Sequence, residues 1–517
     1  MTVMVLVKHV ELNSERQKMK IILAGHNIDR DIINEFHDLH SERNDLTPET
    51  IAAAYARISR NPAPVNELRV AARDDIEKAR LSNKNIVFEM GHSSIAEHAV
   101  FNVDIIGVSR LVVEEIERSR LASYTEKSQR YVLLSDDFVI PGEIRGTGLE
   151  ETFITTVRRQ NAFYHQLYEK LRPYIFEKNR ELAADPANKS LLEGWAKEDA
   201  RYCLSLATQT QLGMTINARN VELMIRRLTS SASAEAIEAG RLLYDAVHDT
   251  APSLVRYTDP TPYDRQSPQA LFAELVRQFP TKTVRSGKEK TGGKKGSKGS
   301  GDELIRLLSV APGADDSIAA ALLAGVANIS FAECLGIVER MEQSEKEKLF
   351  KTVFREMKAY DSAPREFEHA SLTFELIVSA TCFAQLKRHR MATISAQPYD
   401  RSLGITAPPS VTAIGMESAL RDLCADSAET AERIAKDAPP AAPYILTNAH
   451  RRRIIMTVNA REIYHMARVR ADRSAQWDIR QTTAKMTELA RKAMPLTMML
   501  AAGKDEFNAR YSGVFGS

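Results

Sequence analysis

The hydrophobic and polar positions of this chain fall into two ordered sets of the same elements. From Ala99 to Ile106, and again from Ala370 to Val378, apolar and polar residues alternate; in the second stretch Leu372, Phe374 and Leu376 alternate with Thr373, Glu375 and Ile377. A period of two sends successive side chains to opposite faces, so each stretch predicts a half-buried strand. A short stretch of helical spacing follows each strand. Ser317 to Phe350 and Gln481 to Leu500 carry a longer helical periodicity. Asn161 to Asp185 predicts a further helix, polar enough to be placed on the surface. The expected fold class is therefore α+β: two units, each a modest sheet flanked by helices.

The two sets share more than periodicity. An acidic-His pair precedes each strand, Glu97-His98 and Glu368-His369, and a basic triplet closes each short helix, Arg118-Ser119-Arg120 and Arg388-His389-Arg390. Asn-Ala-Arg begins at Asn217 and again at Asn459. Three shared blocks in the same order point to an internal tandem duplication. Between the copies lies Ser286 to Gly301, SGKEKTGGKKGSKGSG, which has no apolar residue with which to build a core and is expected to be a flexible linker. The expected division is an N-terminal extension over 1–18, a first domain over 19–285, the linker over 286–301 and a second domain over 302–517.

Composition narrows the setting. The chain has 517 residues, 44% of them hydrophobic, which is enough for more than one core. A net charge of +2 argues neither for nor against a nucleic-acid partner, and none is expected. The four cysteines, Cys203, Cys334, Cys382 and Cys424, have no close spacing, so neither a disulfide framework nor a metal ribbon is supported. The apolar opening from Met1 to Val10 is too short to span a membrane, and a reduced cytoplasm is the expected location.

The densest chemistry runs from Arg118 through Ser123, Glu126, Ser128, Gln129 and Arg130 to Tyr131. Fork-shaped guanidinium donors, hydroxyls and backbone N–H groups after a helix can cradle a phosphate. On composition alone they can equally form a solvated helix end.

This segment resembles the signature of the flavin-dependent thymidylate synthases, Arg-His-Arg, two residues, Ser, then Glu-x-Ser-x-Arg-Tyr. Glu126, Ser128, Arg130 and Tyr131 match, and Ser119 replaces the central His. The resemblance extends upstream to Gly91-His92-Ser93-Ser94, and it covers both units apart from the linker and the extreme N-terminus. It implies transfer of a methylene from methylenetetrahydrofolate to C5 of dUMP, with FAD as the hydride carrier and NAD(P)H, that is NADPH or NADH, as its reductant. It also implies sites shared between subunits and no cysteine nucleophile, so Cys203 and Cys382 are expected to be buried thiols.

Carried over residue by residue, the resemblance gives the first unit Glu126, Ser128, Gln129, Arg130 and Arg201 for the nucleotide, and His92, Ser94, Asn217 and Arg219 for the flavin. The second unit has Arg388, His389 and Arg390 as catalytic and flavin-contacting residues. It also has Gln385 and Arg470 for the nucleotide, and Asn459, Arg461 and His465 for the flavin, His465 standing where Asn is usual. Arg470 opens Arg-Ala-Asp-Arg-Ser-Ala-Gln-Trp477. Each unit has lost what the other keeps. The first has Glu115 where Gln is expected and Ser119 for His. The second has Ala396, Pro398 and Asp400 in the phosphate loop, Pro443 for the second arginine and Ala363 for the upstream histidine. The expected outcome is a composite site, with a homodimer of fused chains imitating a tetramer. The alternatives are flavin-dependent modification of another pyrimidine nucleotide at C5, or a non-catalytic nucleotide- or flavin-binding paralogue.

Overall fold

The computed structural model of the chain describes residues 18–29, 46–58, 61–134, 136–278 and 304–516. The predicted linker, and all of the predicted extension except Lys18, lie outside them.

Two four-stranded antiparallel sheets carry the alternating segments. In the first, β1 (Lys20–His26), β2 (Val100–Ser109), β3 (Ala122–Glu126) and β4 (Gln209–Asn217) lie in the order β1-β2-β4-β3. In the second, β5 (Ile305–Val310), β6 (Ser371–Ser379), β7 (Thr393–Tyr399) and β8 (Arg451–Asn459) lie in the order β5-β6-β8-β7. The register repeats as well as the order. Val100 faces Asn217 and Ser371 faces Asn459; Ser123 faces Thr215 and Thr393 faces Thr457. One inner face of each sheet is apolar. Phe101, Val103 and Ile105 are buried in the first, and Leu372, Phe374 and Leu376 in the second, each within a few per cent of complete exclusion from solvent. At about 25 cal/mol per Å² of apolar surface, each such side chain contributes about 1.5–3 kcal/mol. Ile377, grouped by alternation with the polar face, is buried too, because the end of β6 is covered on both sides.

The helices repeat in the same way. The first copy has α1 (Arg110–Ile116), α2 (Gly148–Lys178), α3 (Lys189–Ala200), α4 (Ala218–Thr229) and α5 (Ala234–Val247); the second has α6 (Ala380–Leu386), α7 (Glu417–Asp437), α8 (Ala460–Arg470) and α9 (Trp477–Ala493). Equivalent starts are built alike. Ser109 caps α1 and Ser379 caps α6; Asn217 caps α4 and Asn459 caps α8, each accepting a backbone N–H of the first turn. The Ser109 hydroxyl also donates to Glu235 on α5 at 2.7 Å, and the Ser379 hydroxyl to Asp478 on α9 at 2.5 Å.

Two expectations need correction. Asn161 to Asp185 is helical over most of its length but is not a surface element: α2 buries Phe153, Val157, Tyr164, Leu167 and Leu171, and even Gln160 and Asn161. Its apolar residues recur every three or four positions, and α3 packs along it. Ser317 to Phe350 is not one helix but parts of three, Ala314–Ala324, Phe331–Arg340 and Gln343–Phe354; Ser330 and Glu333 form a capping box that starts the second.

The chain divides into two compact units. Unit one is Met1–Glu289 with Ser410–Thr447; unit two is Lys290–Pro409 with Asn448–Ser517. A division by repeat, 19–285 and 302–517, differs from this division by packing in the segment Ser410–Thr447. Within unit one that segment is held by specific bonds: the Gln160 amide donates to Ser427 Oγ and to the Ile445 carbonyl, each at 2.8 Å, and Ser205 bridges Thr447 as paired backbone. In unit two the core joins the sheet to Phe350, Phe354, Phe367 and Tyr464. No helix among the described residues is long and apolar enough to cross a membrane.

Candidate functional site

In unit one the predicted nucleotide loop leaves the edge strand β3. Glu126, its last residue, forms an ion pair with Arg110 at the start of α1. Ser128 turns its hydroxyl back to accept the Arg130 backbone N–H at 3.1 Å, which fixes the bend. Gln129 is buried, and Arg130 reaches Glu198 on α3 in an ion pair. Arg201 follows the same helix and is only 8% exposed. Burial lowers the pKa of its guanidinium and the adjacent Arg130 adds to that, while Glu198 pulls it back up. Arg130, paired with Glu198, and Arg201, which feels the charge of Glu198, thus lie near one carboxylate although they are far apart in sequence. Glu198 was not among the predicted residues. The only sign of it is an acidic residue one helical turn before Arg201, a spacing that puts both on one face.

The residues predicted for the flavin in unit one lie on neighbouring segments. Gly91, at φ +77°, makes the left-handed turn that delivers His92 and Ser94 to an exposed position. The 3-10 segment Ser93–His98 packs against α4, where Arg219 pairs with Glu97 at 2.5 Å. Unit two repeats the contact: Arg461 pairs with Glu368 at 2.9 Å and donates to the Ala363 carbonyl at 2.9 Å. Arg365 and then Arg461 hold the Glu368 carboxyl below its usual range. The acidic residue of each Glu-His pair therefore anchors the arginine of each Asn-Ala-Arg block, and each Asn is a helix cap.

In unit two the triplet follows α6 with alternating exposure. Arg388 and Arg390 face solvent, and His389 is 4% exposed; Arg118, Ser119 and Arg120 show the same pattern in unit one. His389 is held by residues from the first and last turns of α8. Its Nδ1 lies 2.9 Å from Glu462 Oε1, and Arg470 Nε donates to its Nε2 at 3.2 Å. Burial holds His389 below the usual histidine range, with the Glu462 bond acting against that. The His465 ring meets it edge-on at 5.8 Å. Gln385 donates weakly to Gln476 Oε1 at 3.4 Å, the oxygen that also caps α9, so Trp477 stands half-buried at the start of that helix. Glu462 and Gln476 are the residues that motif reading missed. The first is hidden as the third residue after a helix cap, the second inside an otherwise recognised block. In place of a phosphate loop, Ala396 and Pro398 continue β7, and the Asp400 carboxylate accepts the Ser402 N–H.

All four cysteines are free and buried, and burial pushes Cys203 and Cys382 well above the usual thiol range, the opposite of an activated nucleophile. Two hollows in unit one, of about 500 and 250 Å³, are lined by other residues and contain none of the predicted site residues.

The sequence profile of the thymidylate synthase complementing protein family matches residues 43–253 and again 306–496. The chain belongs to this family. Both copies of the duplicated unit are thymidylate synthase complementing domains, and the match bears out the resemblance read from the motifs. A flavin-dependent thymidylate synthase of Clostridium tetani is 30% identical over 44% of this chain and 88% of its own length. A UPF0159 protein of Chlamydia muridarum is 23% identical over 80% of this chain and 79% of its own. Among solved structures, the UMP/dUMP methylase PolB from Streptomyces cacaoi, bound with 5-Br dUMP, aligns at a TM-score of 0.32 and 18% identity, over 46% of this chain and 93% of its own.

Proposed function

We propose that this member of the thymidylate synthase complementing family converts dUMP to dTMP, taking the one-carbon unit from methylenetetrahydrofolate and its reducing equivalents from NADPH. The observation that carries the reading is an ordered arginine in each unit: Arg130 paired with Glu198, with Arg201 near the same charge, in unit one, and Arg470 on His389 in unit two. Glu198 orients the Arg130 guanidinium before any anion arrives, which lowers the cost of binding one. Ser128, Gln129 and Arg130 would take the phosphate and base from one side, with Glu126 held by Arg110. Gln385 and Arg470 would supply contacts that unit one, with Glu115 and Ser119, no longer has. In this reading the two retained sets act as one composite site, formed within a chain or across a homodimer of four repeats, and the reciprocal set is inert.

FAD would be held by His92, Ser94, Asn217 and Arg219 of unit one and by Arg388, His389, Arg390, Asn459, Arg461 and His465 of unit two. Exposed arginines beside helix N-termini suit its diphosphate. When bound, it would supply the hydride that completes the methyl group. The name of the Clostridium relative supports a flavin.

The test is an assay of purified protein with FAD, NADPH, dUMP and methylenetetrahydrofolate, read by mass spectrometry of the nucleotides. A dTMP peak that needs all four components is the expected outcome. A second reading, modification of another pyrimidine nucleotide at C5, is favoured by His465, which stands edge-on to His389 where the resemblance has Asn. Bound flavin without dTMP would move the assignment there. Neither flavin nor product would leave a non-catalytic paralogue.

A further inference from the structure

We infer that Glu462, His389 and Arg470 form a hydrogen-bonded positioning chain in unit two, which keeps His389 in its Nδ1–H tautomer and aims the Arg470 guanidinium at the nucleotide anion. The inference rests on the nucleotide-binding reading of Arg470 and adds two positioning roles to it.

The argument is one of donors and acceptors. A guanidinium can only donate, so the bond from Arg470 Nε at 3.2 Å requires a bare Nε2 on His389. A neutral imidazole with a bare Nε2 carries its proton on Nδ1. That nitrogen lies 2.9 Å from Glu462 Oε1, a carboxylate that can only accept. Both bonds therefore demand the same tautomer, and each reinforces the other. Glu462 is itself fixed: its backbone N–H is the one that Asn459 caps, at 2.8 Å. With Nε held by the ring, the planar Arg470 fork has its rotation restricted before an anion is bound, which is the benefit of pre-organisation.

The same neighbourhood could be read as a metal site, since His389, Glu462 and His465 offer three ligand atoms within 4.8 Å of one another. The Arg470 guanidinium argues against it. A cation there would sit beside a permanent positive charge donating to the very ring that must ligate it.

In unit one the equivalent of His389 is Ser119, and the equivalent of Glu462 is Asn220, whose amide turns back to Asn217 at 2.7 Å. The chain of bonds is specific to the copy that keeps Arg-His-Arg.

The test uses the full protein with ¹⁵N-labelled histidine. The His389 signal is assigned by its loss in His389→Asn, and its tautomer is read from the ring nitrogen shifts alongside dUMP affinity by calorimetry. The expected result is a protonated Nδ1 and a bare Nε2 in the wild type. Glu462→Gln, whose amide can donate as well as accept, should give mixed tautomers and about tenfold weaker dUMP binding. Should that variant fail to fold, Glu462→Asp keeps the charge, lengthens the bond and should give the same two changes in weaker form. A protonated Nε2 in the wild type, or unaltered dUMP affinity in a folded Glu462 variant, would overturn the inference. The expected tautomer with no dUMP binding by the wild type would instead strike down the nucleotide reading of Arg470, leaving the Glu462–His389 bond supported.

Discussion

Glu235 is almost wholly sealed inside unit one, and burial raises its carboxyl from 4.5 to about 7, against the lowering pull of two hydrogen bonds from Ser109. Because the folded value is the higher one, its contribution to stability is fully present below about pH 4.5. It is lost as the pH rises toward 7, where the unfolded chain ionises and the folded one resists. The loss is roughly 3 kcal/mol in all. The difference in unfolding free energy between wild type and Glu235→Gln should therefore shrink by about that amount from pH 4.5 to 8, as measured by denaturant titration. A difference independent of pH would mean that the carboxyl is ionised in the folded protein. The arginines behave differently. Arg201 and Glu198 are both buried and each feels the other's charge, so Arg201→Met takes a compensating charge away from a buried carboxylate. Its cost should be about 3 kcal/mol or more. Arg130→Ala removes the less buried member and should cost clearly less. Equal thermal shifts for the two would contradict the placement of Arg201.

At the scale of elements, the N-caps make a separable test. Asn217→Ala and Asn459→Ala should each cost about 1 kcal/mol, and Ser at either position should restore most of it, because Ser also caps well. If FAD affinity falls in the Ser variants while stability is recovered, the Asn amides serve the cofactor as well as the helix. If both recover, the Asn of each Asn-Ala-Arg block is structural. Leu167→Ala tests the corrected position of α2: a surface helix would lose little, whereas this fully buried leucine should cost about 2–5 kcal/mol. The strands were legible in the chain because period-two alternation depends only on which face is buried, and β2 and β6 bury one face for most of their length. The depth of α2 was not legible. Its apolar stripe is interrupted by Gln160 and Asn161, and the Gln160 amide finds its acceptors, Ser427 and Ile445, far ahead in sequence. The site shows the same limit. Residues inside a motif could be named, but Glu462 acts through contacts that no local pattern marks, and Glu198 is marked only by its spacing from Arg201.

For the whole molecule, the question raised by a duplicated chain is why each copy has discarded a different part. Unit one keeps the loop that carries Arg130, paired with Glu198, and Arg201 near the same charge, and unit two keeps the His389–Arg470 contact. If one active site needs both, Arg130→Ala and His389→Ala should each abolish dTMP formation although the residues belong to different units. Both variants should stay folded, and normal turnover by either would refute the composite reading. Mixing the two inactive variants after subunit exchange then separates the two ways of combining the halves. If a site forms within one chain, every chain in the mixture is still damaged and activity stays at background. If it forms across a homodimer, a mixed dimer has one site that joins an intact loop from one chain to an intact triplet from the other. Half of the randomly reassorted dimers are mixed and each regains one of two sites, so activity should return to about a quarter of the wild-type value. Co-incubation with each variant alone is the control. Recovery that depends on total protein concentration would tie catalysis to dimer formation, since a site built across chains must vanish when the chains separate.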